Sequence, residues 1–268
     1  MKGTDVRADG KLLLTRTGGL AAITFNNPDK LNAMNLAMWL ALGDICETLA
    51  KDDSLRVLTL EGAGDRAFVV GADISEFGET RSNATVSAAY NDAVARAEAS
   101  VQSMPVPTLA LIRGYCIGGG VGIAMRCDLR LAREDAQFAV TPARLGLGYG
   151  YDGVASLFAR LGHATTADLL FSGRKLKAEE ALAKGLCDLV YSGDRFHAEC
   201  DTYIQQLVRN APLTVRAAKT ALQELARPEV ERDPAVVEAM VRTCFDSADY
   251  QEGQRAFAEK RPPEFEGQ

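Results

Sequence analysis

Apolar residues near the start of the chain form two short runs with a turn signal between them. Residues 12–15 and 20–25 flank Thr17-Gly18-Gly19, and Asn26-Asn27-Pro28 follows the second run. Glycine pairs between apolar runs are typical of hairpins, and Asn-Pro steps end strands. The pattern therefore predicts that two antiparallel strands open the fold.

Helical and strand spacings then alternate along the chain. Between residues 35 and 50 apolar positions recur every three or four residues, which predicts one buried helical face. Strands are predicted at residues 57–60, 108–112 and 128–132, with a helix inside residues 86–104 and a short helix after the glycines at 118–120. Repeated strand and helix units indicate an α/β fold with a largely parallel sheet.

The chain after about residue 190 loses its strand signals and keeps the helical spacing. Helices are predicted at roughly 194–209, 213–226, 233–246 and 249–259. We divide the chain into a core over residues 1–195 and a helical region over residues 196–268. Apolar positions such as Leu222, Leu225 and Phe245 need cover from the core or from another subunit, which favours a homo-oligomer.

Composition narrows the class of protein. The 268 residues carry 30 Lys and Arg against 36 Asp and Glu, a net charge of -6, and 47% are hydrophobic, as in ordinary globular enzymes. The acidic balance disfavours nucleic acid as the partner. Two histidines and six cysteines without a CxxC pair disfavour a zinc site, a histidine triad or a disulfide framework. We expect a cytoplasmic protein, because we find neither a signal-peptide core nor a membrane-length apolar run.

The first candidate functional segment is Ala67-Phe68-Val69-Val70-Gly71-Ala72-Asp73-Ile74. It has the composition of a buried strand that breaks at a glycine and meets a small residue, so it can present a free backbone N–H. The alternative is a plain strand-to-helix turn with Asp73 as a helix cap.

The second segment is the glycine cluster of residues 114–122, which follows a predicted strand and opens a helix. Glycines at a helix start leave N–H groups unpaired at the positive end of the dipole, and an acyl group can come close to them. The spacing matches neither a Walker loop nor a dinucleotide fingerprint. Close helix packing explains a lone glycine cluster equally well.

The two segments in this order, followed by Cys127-Asp128, Ala136-Gln137-Phe138 and Pro142, resemble the crotonase, or enoyl-CoA hydratase/isomerase, family. Residues 27–34, 170–174, 178–186 and 257–261 are similar to further landmarks of that family. The resemblance implies a crotonase-type spiral of repeated β-β-α units with a C-terminal helical region. It also implies trimers or dimers of trimers.

The resemblance further implies an acyl-CoA thioester substrate, whose carbonyl the N–H groups of Ala72 and Gly119 would hold as an oxyanion hole. Coenzyme A would be part of the substrate, with no separate cofactor and no metal. The positions that match CoA-proximal residues of the family are Lys30, Leu31, Ala33, Ala67, Gly71, Asp73, Ile74, Phe257 and Lys260. The last two match a pair that often reaches a neighbouring subunit's CoA, although Lys260 also fits a solvated charge at a helix end.

The chain departs from the family's hydratases at two glutamates. One position is Gly122 and the other is Ala143. Adding water to a double bond needs positioned acid–base groups, so a hydratase with this sequence would need substitutes. Loss of both carboxylates predicts an apolar, uncharged pocket.

The loop after Pro142 is similar to that of the family's acyl-CoA decarboxylases, in a Thr-Pro-x-x-Leu-Gly-x-x-Tyr arrangement that ends at Tyr149. Those enzymes often carry histidine where this chain has Ala72. Loss of CO₂ needs an oxyanion hole and a proton donor but no base. We therefore favour, narrowly, a decarboxylase of malonyl-type CoA esters with Tyr149 assisting. The alternative for Tyr149 is a packed aromatic ring.

Asp152 is the only carboxylate in the same loop. As an acid–base group it would support an enoyl-CoA hydratase or isomerase without the usual glutamates, whereas its structural alternative is a helix cap. A second alternative is a CoA-ester-binding protein without catalysis.

Overall fold

The computed structural model describes residues 3–76 and 84–268 of the chain. Its larger sheet has seven strands in the order β1-β2-β3-β4-β6-β8-β11. These strands are β1 (Thr4–Arg7), β2 (Leu12–Thr17), β3 (Leu20–Phe25), β4 (Val57–Gly62), β6 (Thr108–Ile112), β8 (Leu129–Arg133) and β11 (Leu189–Tyr191). The first three pair antiparallel and the remainder parallel, so the predicted hairpin and parallel sheet are both confirmed.

A second sheet of four short strands lies in the order β10-β9-β7-β5. Its strands are β5 (Ala67–Val69), β7 (Tyr115–Ile117), β9 (Gln137–Ala139) and β10 (Leu176–Lys177). Successive strands of the chain alternate between the sheets, since β4, β6 and β8 of the larger sheet are followed by β5, β7 and β9 of the smaller. A helix follows each such pair, which confirms the predicted repeat of strand, strand and helix.

The helices of the spiral are α1 (Leu36–Leu49), α2 (Ala84–Gln102), α3 (Gly119–Arg126), α4 (Tyr151–Ser172) and α5 (Ala178–Ala183). Asn35 caps α1, because its side chain accepts a hydrogen bond of 2.9 Å from the Met38 N–H. The predicted apolar face of α1 is buried and packs on α2. Helix α4 bends at Gly162, whose φ of 69° is not helical.

The C-terminal helices are α6 (Phe196–Arg209), α7 (Pro212–Ala226), α8 (Pro234–Phe245) and α9 (Ala248–Glu259), within about two residues of the predicted bounds. Helix α6 packs on the outer face of the larger sheet through Phe196, Cys200 and Ile204. Leu222, Leu225 and Phe245 are exposed on the single chain. The division at residues 195 and 196 stays a prediction.

Strand β1 was not predicted from the sequence. Its four residues are all exposed and polar or charged apart from Val6, so they carry no alternating pattern. The strand forms because its backbone pairs with β2 at the edge of the sheet. Among the described residues, no helix is long and apolar enough to cross a membrane.

Candidate active site

The turn after β5 exposes one backbone amide. Met34 donates its N–H to the Gly71 carbonyl and accepts from the Asp73 N–H, both at 2.8 Å. This bridge uses the groups on either side of Ala72, and the Ala72 N–H donates to no acceptor in the described parts of the chain. Gly71 has a φ of +94°, a conformation that L side chains rarely adopt, so the turn needs glycine there.

The glycine cluster supplies a second amide beside the first. Gly118 caps α3 with a φ of +56° and donates to the Ala139 carbonyl at 2.9 Å. Gly119 is then the first residue of α3, where an N–H has no partner within the helix. A Cβ built on Gly71 would lie 3.4 Å from the Gly119 nitrogen, so the turn and the helix start are in direct contact. The two predicted donors therefore lie together at a helix N-terminus.

The other interpretation of the glycine cluster, close packing, holds for a different residue. A Cβ on Gly120 would overlap the Val69 carbonyl. On the far side of Gly119, a Cβ would lie 3.3 Å from Cζ2 of Trp39. Trp39 is buried and donates its indole N–H to the Tyr90 hydroxyl at 2.8 Å. Packing from both sides thus fixes the position of the Gly119 amide.

An ion pair joins residues 27–34, which match a CoA-proximal segment of the family, to the predicted oxyanion turn, the name used below for the turn at Ala72 together with the start of α3 at Gly119. Nζ of Lys30 lies 2.7 Å from Oδ2 of Asp73, whose side chain is buried. Oδ1 of Asp73 accepts from the backbone and hydroxyl of Ser75, so Asp73 also caps the single turn of 3₁₀ helix that follows. Burial opposes ionisation of Asp73, but these hydrogen bonds outweigh it and lower its pKa.

The remaining residues that match CoA contacts lie in several environments. Leu31 has left-handed backbone, Ala33 is buried, and Ala67 accepts a 2.8 Å hydrogen bond from the buried Asn32 amide. Ile74 begins the 3₁₀ turn, and its side chain lies outside the described parts of the structure. Of these residues, Ala67 begins β5, the strand that leads into the turn that carries Ala72.

Phe257 and Lys260 lie apart from that turn, at the C-terminal end of α9. Phe257 is 88% exposed, and Lys260 ends the helix in left-handed backbone. In the described residues, no hydrogen bond or ion pair links either side chain to the oxyanion turn. Their predicted contact with a neighbouring subunit's CoA stays a prediction.

The side of the site next to Gly122, called the wall below, is charged and not apolar as the sequence predicted. A Cβ on Gly122 would overlap Oε1 of Glu98, which extends from α2 into the space that a side chain at 122 would take. Oε2 of Glu98 pairs with Nε of Arg126 at 3.2 Å. Their side chains are only 13% and 17% exposed. The prediction of an uncharged pocket is therefore wrong, because a distant helix supplies a carboxylate where the local sequence has none.

The pKa of the Glu98 carboxyl is shifted upward. Burial raises its pKa above the ordinary value of 4.5, and the Asp152 charge adds to this, while the Arg126 guanidinium opposes both. Oε1 accepts no hydrogen bond from any described residue. A carboxylate with one oxygen held and the other free is suited to proton transfer.

Tyr149 lies against the core beside this pair. A Cβ on Gly153 would lie 2.7 Å from Cε1 of the tyrosine, so the ring fills the space over the start of α4. Burial, and secondarily the Glu98 charge, raise the pKa of Tyr149 to about 12, so its hydroxyl stays protonated. Asp152 is exposed in the first turn of α4, and the N-cap is Gly150 rather than Asp152.

Sequence reasoning missed Glu98, although its position carried a signal. Glu98 lies four residues after Val94 and three before Val101, on the apolar face of α2. A carboxylate within such a face is normally excluded from the core unless it is paired or functional. Its partner Arg126 is distant in sequence, so the local pattern could not show the pairing.

The fold brings the turn that carries Ala72 against the helix start at Gly119, which is the arrangement that the sequence predicts as an oxyanion hole. The sequence model of the enoyl-CoA hydratase/isomerase family matches residues 15–268. The chain belongs to this family, and its fold is the crotonase fold.

Similar proteins support the same assignment over more than nine-tenths of the chain. The chain is 29% identical to the short-chain-enoyl-CoA hydratase of Clostridium acetobutylicum, over 93% of this chain and 95% of that protein. It is 30% identical to the carnitinyl-CoA dehydratase of Salmonella typhi, over 96% and 98% of the two chains. The crystal structure of an enoyl-CoA hydratase/carnithine racemase from Magnetospirillum magneticum superimposes with a TM-score of 0.90 at 35% identity, covering 98% and 97%.

Proposed function

We propose that this protein moves or hydrates the double bond of an enoyl-CoA thioester through an enolate that the amides of Ala72 and Gly119 hold. The observation that carries the proposal is the pair of adjacent amides that have no acceptor among residues 3–76 and 84–268, fixed on a glycine turn and at a helix N-terminus. Donors placed in advance where negative charge develops each stabilise such a transition state by roughly 3 to 4 kcal/mol.

The relatives support enoyl-CoA chemistry over loss of CO₂. Their names include hydratases of short-chain enoyl-CoA, crotonyl-CoA and 2,3-dehydroadipyl-CoA. Reactions of this kind need a proton-transfer group near the α or β carbon. The charged wall at Gly122 provides such a group, and it would repel the free carboxylate of a malonyl-type ester.

The direct test offers crotonyl-CoA, a 3-enoyl-CoA, methylmalonyl-CoA and ethylmalonyl-CoA to the purified protein. Chromatography with mass detection reports gain of water or loss of CO₂, and absorbance of the conjugated thioester reports movement of the double bond. Conversion of either enoyl ester is the expected result. If neither enoyl ester changes while a malonyl-type ester loses CO₂, enoyl-CoA chemistry is rejected.

Decarboxylation of a malonyl-type ester is the second candidate, and Tyr149 is the observation that favours it. A hydroxyl that stays protonated up to a pH near its pKa of about 12 can donate the proton that replaces CO₂. Tyr149→Phe keeps the packed ring and removes the hydroxyl. Under this candidate the variant would lose CO₂ release, whereas binding of the ester would persist.

A CoA-ester-binding protein without catalysis would give a third result. It would bind the esters with unchanged affinity and convert none of them. We also propose that the protein acts as a homo-trimer or dimer of trimers, without a separate cofactor, nucleic acid or membrane partner, in the cytoplasm. The exposed Leu222, Leu225 and Phe245 of the C-terminal helices support an oligomer. Light scattering coupled to size-exclusion chromatography would measure its mass.

A further inference from the structure

We infer that Glu98 is the acid–base group of this site and that it carries a proton between carbons of the bound acyl-CoA. This inference rests on the proposed function and assigns the missing proton-transfer role to a residue outside the two glutamate positions. The structural basis is a carboxylate oxygen from α2 that fills the empty side-chain position of Gly122.

The position of this oxygen follows from the geometry of α3. Gly119 and Gly122 are three residues apart and share one face of the helix. The Gly119 N–H marks where the thioester oxygen would bind, and Oε1 of Glu98 lies against the same face one turn further on. In the inferred complex, the carbon chain of the acyl group begins at the thioester carbonyl and extends along α3 beside Oε1.

Arg126 holds the carboxylate in an orientation suited to this role. It bonds Oε2 of Glu98 through Nε at 3.2 Å and the Gln102 side chain through Nη1 at 2.7 Å. Oε1 is left without a hydrogen bond from any described residue. The groups that act on the charge of Glu98 are Arg126 from α3 and Asp152 from α4, with Tyr149 beside them.

The chemistry balances with one carboxylate. Oε1 takes a proton from the α carbon of a 3-enoyl-CoA, the C–H electron pair moves toward the thioester carbonyl, and the oxyanion hole holds the resulting dienolate. The same O–H then returns the proton to the γ carbon, which leaves the double bond between the α and β carbons. Hydration needs in addition a second group to position water, so a single carboxylate favours double-bond isomerisation.

The test measures exchange of the α hydrogens of butyryl-CoA in D₂O, which requires enolate formation but no net reaction. We expect the protein to catalyse exchange and Glu98→Gln to lose about 10²-fold or more of the rate, with unchanged affinity for butyryl-CoA. Glu47→Gln is the matched control, because Glu47 is an exposed glutamate paired with Arg96 on the surface. It should leave the exchange rate unchanged.

A relocation variant guards against a merely structural effect. Glu98→Ala empties the space beside Gly122, and Gly122→Glu added to it returns a carboxylate from α3. We expect the double variant to recover exchange that Glu98→Ala alone loses. Exchange that persists in Glu98→Gln would overturn the role of Glu98 and leave the proposed function standing. If the unmodified protein neither exchanges α hydrogens nor converts an enoyl ester, both fail together.

Discussion

Two halves of the same site differ in how they are built. The oxyanion turn consists of backbone groups at Ala72 and Gly119, and glycines and a β-bridge fix them. The adjacent wall consists of the side chains of Glu98, Arg126 and Tyr149, which come from α2, α3 and the loop before α4. Backbone donors tolerate changes of side chain, whereas a side-chain wall can be rearranged by exchanging a carboxylate between elements.

This difference suggests separate roles, in which the amides bind the thioester and the wall selects the reaction. The amides would stabilise any thioester enolate, whichever bond is made or broken next. The fate of the enolate depends on which proton donors and acceptors lie beside it. The proposed function therefore depends on the wall for the choice of reaction. Two predictions test the turn and the wall by activity, and two test the surrounding structure by stability.

The largest effect is expected for Gly119→Pro. Proline is compatible with the first position of a helix and removes the N–H there, and denaturant unfolding would check that the variant stays folded against Gly71 and Trp39. Loss of one oxyanion donor should lower turnover by about 10² to 10³-fold. Gly119→Ala is the control, since it keeps the N–H and places a Cβ 3.3 Å from Trp39. Steady-state kinetics would compare the two, and equal activities would argue against an oxyanion role for this amide.

The next effect concerns the wall and is measured as the pH dependence of α-hydrogen exchange. Glu98 must be ionised to accept a proton, and burial raises its pKa above 4.5. Exchange of α hydrogens should therefore rise about tenfold per pH unit below that pKa and level off above it. Arg126, Asp152 and Tyr149 are the neighbours that set the midpoint. The profile of Glu98→Gln, measured on its residual rate, should lose this step; an unchanged midpoint would assign it to another group.

Gly120→Ala should act on stability rather than on chemistry. Its Cβ would overlap the Val69 carbonyl, and overpacking of this kind costs roughly 1 to 3 kcal/mol. Denaturant unfolding would measure the loss, with Gly148→Ala as the control, because nothing lies within 4 Å of a Cβ there. A variant as stable as the parent would show that the strand and helix can separate without penalty.

The smallest effect lies far from the site. Hydrogen bonds from Arg261, the Glu264 N–H and Arg255 lower the pKa of Glu252 to about 2. The stability that this group contributes is complete above its unfolded pKa near 4.5 and is lost as pH falls toward 2. Glu252→Gln should therefore flatten this part of the acid-stability curve and leave α-hydrogen exchange unaltered. Thermal unfolding between pH 2 and 5 would show it.

Most of the fold follows from local pattern. The hairpin, α1, β6 and the C-terminal helices appear near their predicted bounds, because each has its own apolar period and turn or cap residues. Strand β1 was not predicted, because it lacks an apolar face and depends on pairing with β2. The glycines at 71, 118 and 120 also marked the turn and the helix start, since positive φ or close backbone approach requires that residue type there. The oxyanion role of these two segments stays a prediction.

Sequence alone predicted most of the strand and helix order, the family and a pair of backbone donors, because each depends on short segments with their own conformational demands. The role of the two donors stays a prediction. Tertiary structure alone decided the character of the wall. Glu98 and Gly122 are separated by a strand crossover, and only packing of α2 on α3 brings the carboxylate into the space beside the glycine. The Glu98 side chain occupies the space that Gly122 leaves empty, because protein interiors are closely packed. Arg126 pairs with Glu98, because a buried carboxylate needs an opposite charge.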